Sequence, residues 1–165
     1  MKLRRRASED QALSRHHTGV ATLIPKDGDV DELVAAVAEH RGRPLTILPM
    51  DMPPTAPSGA WITSDLGDLI VVDSTASVTR RATIICHELA HMLLGHKGPA
   101  LNDSALLARP SLLRPDVAAR FLTRTGYDDA SERDAELLGT LLAAECTRRA
   151  GRAAHRQGRV ASRLQ

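Results

Sequence analysis

The chain has 165 residues, 42% of them apolar and 25% charged, which suits one globular domain with material for a real core and excludes a low-complexity chain. Aromatics are only 2%, so the core must be built from Leu, Ile, Val and Ala, which favours packed helices over a large β-sandwich. The net charge of +2 hides an asymmetry: Lys2, Arg4, Arg5 and Arg6 at one end and Arg148, Arg149, Arg152, Arg156, Arg159 and Arg163 at the other leave twelve Lys and Arg against all twenty acids between them, a body at −8.

No apolar run approaches the ~20 residues of a membrane span. The basic start, Met1 to Arg6, is followed by no apolar stretch and does not read as a signal peptide. Two cysteines, Cys86 and Cys146, make no disulfide framework, so a reduced, cytoplasmic protein is expected. The basic ends read as solvated tails, or as a contact for an acidic partner or nucleic acid. No aromatic side chains are interleaved there to stack on bases.

Residues 1–18 are polar and read as a loose segment. Asp29 is placed to cap a helix running to about His40, with Leu33, Val34 and Val37 on one face and Gly42 closing it. Leu45 to Leu48 reads as a short strand. Four prolines between Pro49 and Ser58 make a loop. Gly59 to Ser64 and Leu69 to Asp73 read as two strands about the Asp65-Leu-Gly-Asp68 turn, a hairpin within a three-stranded sheet. Ser74, Thr75 or Ser77 can cap the next helix, which runs to about Leu94 and ends at Gly95. Residues 97–114 read as a loop with some helical character, Asp116 to Thr123 as a helix with Pro115 in its first turn, and Gly126 to Asp129 as a turn. A long last helix is expected from after Ser131 to about Arg149, with Asp134 as capping-box partner of Ser131. Residues 150–165 lack an apolar face and read as an unstructured tail.

The chemistry is concentrated in Thr83 to His96, "TIICHELAHMLLGH". His87 and His91 are four apart and share a helix face, so both imidazoles can reach one ion. Glu88 is advanced roughly 100° round the helix, beside that pair and not within it. This is His-Glu-x-x-His: two zinc ligands and a carboxylate placed to take a proton from water. Ile84, Ile85, Leu89, Met92 and Leu93 surround the set, so the helix is a buried one. Buried unpaired His and Glu would be costly, and a metal satisfies them together.

A catalytic zinc takes a third protein ligand and keeps one position open. His96 comes nine residues after His87, and Leu94 stands where a helix-breaking Gly would have to be, so the three-histidine pattern of the metzincins is not met. His96 is better placed to face the helix C-terminus, or to support a ligand. The stretch Ser131 to Ala144, "SERDAELLGTLLAA", offers acids instead. Glu132 and Glu136 share a face, with Asp134 pointing elsewhere. Glu132 would coordinate, and Glu136 would orient a ligand histidine from behind.

Together, "HELAHMLLGH" and "ERDAELLGTLLA" resemble the ImmA/IrrE family of zinc metallopeptidases, which are gluzincin-like His-Glu-x-x-His zincins. The resemblance extends over about residues 29–147. It implies an α+β fold, mostly helical, a minimal zincin-like domain with a small three-stranded sheet packed against the motif helix. It also implies a zinc metallopeptidase domain over 19–149, between the segments 1–18 and 150–165. The implied zinc ligands are His87, His91 and Glu132, with Glu88 as general base. The implied activity is endopeptidase action that cleaves or inactivates a helix-turn-helix repressor. Asp134 stands where the family usually has its second Glu. Tyr127, the sole tyrosine, is a candidate oxyanion donor, its plainer role being a turn residue packed on the last helix. Two other readings stay open. One is a non-catalytic zinc module that sequesters a regulatory partner. The other is nucleic-acid contact through the Arg-rich ends.

Overall fold

The computed structural model describes residues 19–100, 114–116 and 126–161, with side chains through Gln157. The expectations for residues 1–18, and most of those for the loop and helix between 101 and 125, fall outside this range. Pro115 and Asp116 are helical.

Helix α1 spans Val30–Arg41. Asp29 caps it, its carboxylate accepting the Glu32 N–H at 2.9 Å. It ends where Gly42 takes φ 63°, a left-handed turn that costs glycine nothing. Leu33, Val34 and Val37 form its buried face.

Three strands follow: β1 Leu45–Met50, β2 Gly59–Ser64 and β3 Gly67–Asp73. The sheet order is β1-β3-β2, with β3 antiparallel to β2 and parallel to β1. The central strand is buried on both faces, which is why Leu69-Ile-Val-Val72 is continuously apolar instead of alternating. Ile70 and Val72 join Trp61 in the main core, while Leu69 and Val71 pack with Ile62 and Met50 in a second cluster. The outer edge of β2 is met by residues 98–100. Thr63 donates its N–H to Pro99 O at 2.9 Å, and Gly98 lies so close to the Trp61 ring that a Cβ there would sit 2.9 Å from it.

Helix α2, Val78–Leu93, carries the motif and is capped by Ser77. Its Ile84, Ile85, Cys86, Leu89, Ala90 and Met92 are buried in the main core, against the sheet on one side and the last helix on the other.

The last helix, α3, spans Asp129–Ala161 and packs closely on α2. Two expectations about it are corrected. First, Asp128 caps it, accepting the N–H of Ser131 at 2.7 Å and of Ala130 at 3.1 Å. Ser131 therefore lies inside the helix, and no Ser131–Asp134 capping box forms. Second, α3 does not stop at Arg149 but runs to Ala161, the Arg and Ala of this stretch being good helix formers that carry it past Gly151. Residues 151–157 are largely exposed, as a segment without an apolar face should be. Arg149 belongs to the body: its guanidinium pairs with Glu145 at 2.7 Å and donates to the Ala21, Ile24 and Pro25 carbonyls. Cys86 and Cys146 are free, buried thiols. Among the described residues, no helix is long and apolar enough to cross a membrane.

Candidate active site

Helix α2 presents His87 and His91 one turn apart, their Nε2 atoms 3.1 Å from each other. From α3, Glu132 brings Oε2 to 3.4 Å from His87 Nε2 and 3.8 Å from His91 Nε2. The three donors thus converge, as the sequence spacing required of the first two and permitted of the third. Zinc held tetrahedrally at about 2.0–2.2 Å would set its donors about 3.3–3.6 Å apart, so this triangle fits a metal of that kind. The chemistry of the donors fits as well. Burial, and then the neighbouring His87 and His96, push the His91 pKa down to about 3, which keeps its imidazole neutral and its lone pair available.

Glu88 is buried and is not one of the three converging donors. Its Oε2 accepts the Trp61 backbone N–H at 2.9 Å. Burial pushes its carboxyl up to about 8, the Trp61 N–H pulls the other way, and the Glu132 charge adds to the rise. Any cation held by the three ligands would bring it down again. These side chains line one cavity of about 370 Å³, walled also by Pro57 to Trp61 and by Tyr127.

The family model of the IrrE N-terminal-like domain, peptidase family M78, matches residues 38–145. The chain belongs to this family. The matched stretch contains all three strands, the whole of α2 and the part of α3 that bears Glu132. Comparison with curated proteins and comparison with solved structures gave no match.

Within this M78 domain the remaining expected residues fall as follows. Glu136 lines the cavity but is exposed and hydrogen-bonds neither imidazole. His91 instead meets His96, whose Nδ1 lies 2.8 Å from His91 Nδ1. A metal on His91 Nε2 would leave the His91 proton on Nδ1, to be donated to His96. Gly95, at φ 73°, turns the chain back so that His96 N–H bonds His91 O at 3.0 Å.

Two further residues of the M78 site, Trp61 and Gly139, were not legible as functional. Trp61 acts through its backbone. Its ring is fixed by Arg41, whose guanidinium lies 5.1 Å from the ring centroid, pairs with buried Asp68 at 3.0 Å and donates to Met92 O at 3.1 Å. The end of α1, the middle strand and the end of α2 are thereby tied to the strand that holds Glu88. Gly139 lets α3 lie close against α2: a Cβ there would stand 2.8 Å from His87 Cα. Tyr127 lays its ring flat on His91, at 3.8 Å between centroids and 18° between planes.

Proposed function

We propose that this M78 protein is a zinc-dependent endopeptidase and that its natural substrate is a helix-turn-helix transcriptional repressor. The observation that carries the catalytic part is the separation of roles within one cavity. Three donors converge on a metal-sized triangle, while Glu88 is held back from it by the Trp61 N–H. The repressor is supported by the resemblance to ImmA/IrrE metallopeptidases alone.

His87, His91 and Glu132 would hold the zinc, which when bound supplies an acidified water and polarisation of a peptide carbonyl. Glu88 does the proton work. Its Oε2 is engaged by Trp61, so Oε1 is the oxygen that takes a proton from the attacking water and returns it to the leaving amine. Burial, by raising the affinity of this carboxylate for a proton, makes it a better base than a solvated glutamate.

The test is cleavage of a helix-turn-helix repressor encoded beside the gene, by zinc-loaded wild-type protein and by Glu88→Gln. Wild type should release fragments and Glu88→Gln none, with equal zinc content. If Glu88→Gln relieves repression as fully as wild type, sequestration replaces cleavage as the function.

A further inference from the structure

Glu88, Glu132 and Glu136 all line the cavity at the metal triangle, and among the described residues no lysine or arginine lines it. Two of these carboxylates are already engaged. Glu132 is one of the converging donors, and Glu88 is bonded to the Trp61 N–H. A divalent ion on the triangle would be balanced by those two charges, which leaves Glu136 as the charge without a counterpart. Glu136 is exposed, so a substrate can reach it, and it has no hydrogen bond or ion pair among the described residues.

Its position defines what it can receive. Glu136 follows Glu132 by four residues on the same face of α3, a rise of about 6 Å along the helix. Ile84, Pro57 and Ala60 give the same cavity apolar wall. A side chain that starts from a backbone held at the metal and ends at Glu136 therefore needs a long apolar stem and a cationic tip. Arginine and lysine have both. In the peptidase reading above, on which this inference rests, that backbone is the substrate's. We propose that Glu136 is a specificity-determining residue, its carboxylate pairing with a basic side chain that flanks the scissile bond. Arginine is the better match, because its planar fork can engage both carboxylate oxygens at once. An acidic side chain at the same place would meet an unbalanced like charge and be rejected.

Binding of small zinc-directed probes to the zinc-loaded protein tests this without turnover. Acetyl-arginine hydroxamate and hydroxamoyl-acetyl-arginine amide place the side chain on opposite sides of the same metal-binding group. Each is compared by calorimetry with its norleucine analogue, which keeps the stem and lacks the charge. In wild type, one arginine probe should bind about three- to tenfold tighter than its analogue, as a partly exposed charge pair allows. The preference should shrink in about 0.5 M salt. Glu136→Gln should keep zinc and lose the preference, and Glu136→Lys should turn it against arginine. If wild type binds the probes without discriminating, or if Glu136→Gln keeps the preference, the inference is overturned and the peptidase reading stands. If Glu136→Gln loses zinc, Glu136 supports the metal and the inference is again overturned. If zinc-loaded wild type binds none of the four probes, the peptidase reading falls and takes the inference with it.

Discussion

His96 Nδ1 lies 2.8 Å from His91 Nδ1, across the turn that ends helix α2. The contact fixes the plane of the buried His91 imidazole, and supports of this kind behind a metal ligand typically change metal affinity about 10- to 100-fold. His96→Ala should therefore weaken zinc binding by about that factor. Glu132→Ala, which removes a donor atom, should lose the metal outright. Glu136→Ala, which touches neither imidazole, should leave affinity near wild type. Competition titrations with a chromophoric chelator give the ranking. A larger loss for Glu136→Ala than for His96→Ala would return the supporting role to Glu136.

In metal-free protein, Glu88 and His91 give stability a defined pH profile. The folded Glu88 keeps its proton up to about pH 8, whereas its ordinary value is 4.5, so between these limits the unfolded chain binds fewer protons and rising pH favours unfolding. Folded His91 stays neutral down to about pH 3 against an ordinary 6.5, so between those limits the unfolded chain binds more protons and rising pH favours folding. The two slopes oppose each other where they overlap. Above 6.5 Glu88 acts alone, and below 4.5 His91 does. Thermal denaturation in chelator should show greatest stability between pH 4.5 and 6.5, falling on both sides. Glu88→Gln should abolish the decline on the alkaline side and keep the acid one. An alkaline decline unchanged in Glu88→Gln would mean that another group causes it.

Gly139 looks like an expendable helix breaker, since Gly→Ala inside a helix gains about 1 kcal/mol of propensity. The contact with His87 reverses the sign. A Cβ standing 2.8 Å from a backbone atom forces the helices apart, and overpacking of this sort costs about 1–3 kcal/mol. Gly139→Ala should lower the melting temperature. It should also weaken zinc binding, because the same displacement carries Glu132 away from His87. A more stable Gly139→Ala with full zinc affinity would show that the two helices adjust without disturbing the site.

Much of the local structure could be read from the chain because it is set by neighbours in sequence. Asp29 and Gly42 bound α1 through their own caps, and the β2–β3 hairpin follows from alternation around a turn. His87, Glu88 and His91 are related by helical period alone, so the pairing of the two imidazoles on one face with the carboxylate beside them was determined before any packing. The end of α3 was misjudged because absence of an apolar face was taken as absence of helix, although Arg and Ala sustain one in solvent. The choice of Asp128 over Ser131 as cap turned on where the helix begins, which several polar residues in a row leave ambiguous.

What the sequence by itself determined is the chemistry of the site: two imidazoles on one face, a carboxylate beside them, and a downstream helix with acids to spare. What only the tertiary structure decided is which distant groups complete it. Glu132 reaches the imidazoles because a glycine seven residues on lets two helices touch. Glu88 is kept off the metal position by a backbone N–H from a strand 27 residues earlier. His96 was legible as a helix-end histidine, and Tyr127 as a lone phenol, but their relation to His91 was not. The reason is physical: helical and strand periodicities specify which side chains share a face. Helix separation, backbone donors and ring stacking depend on contacts between elements, and no local pattern encodes them.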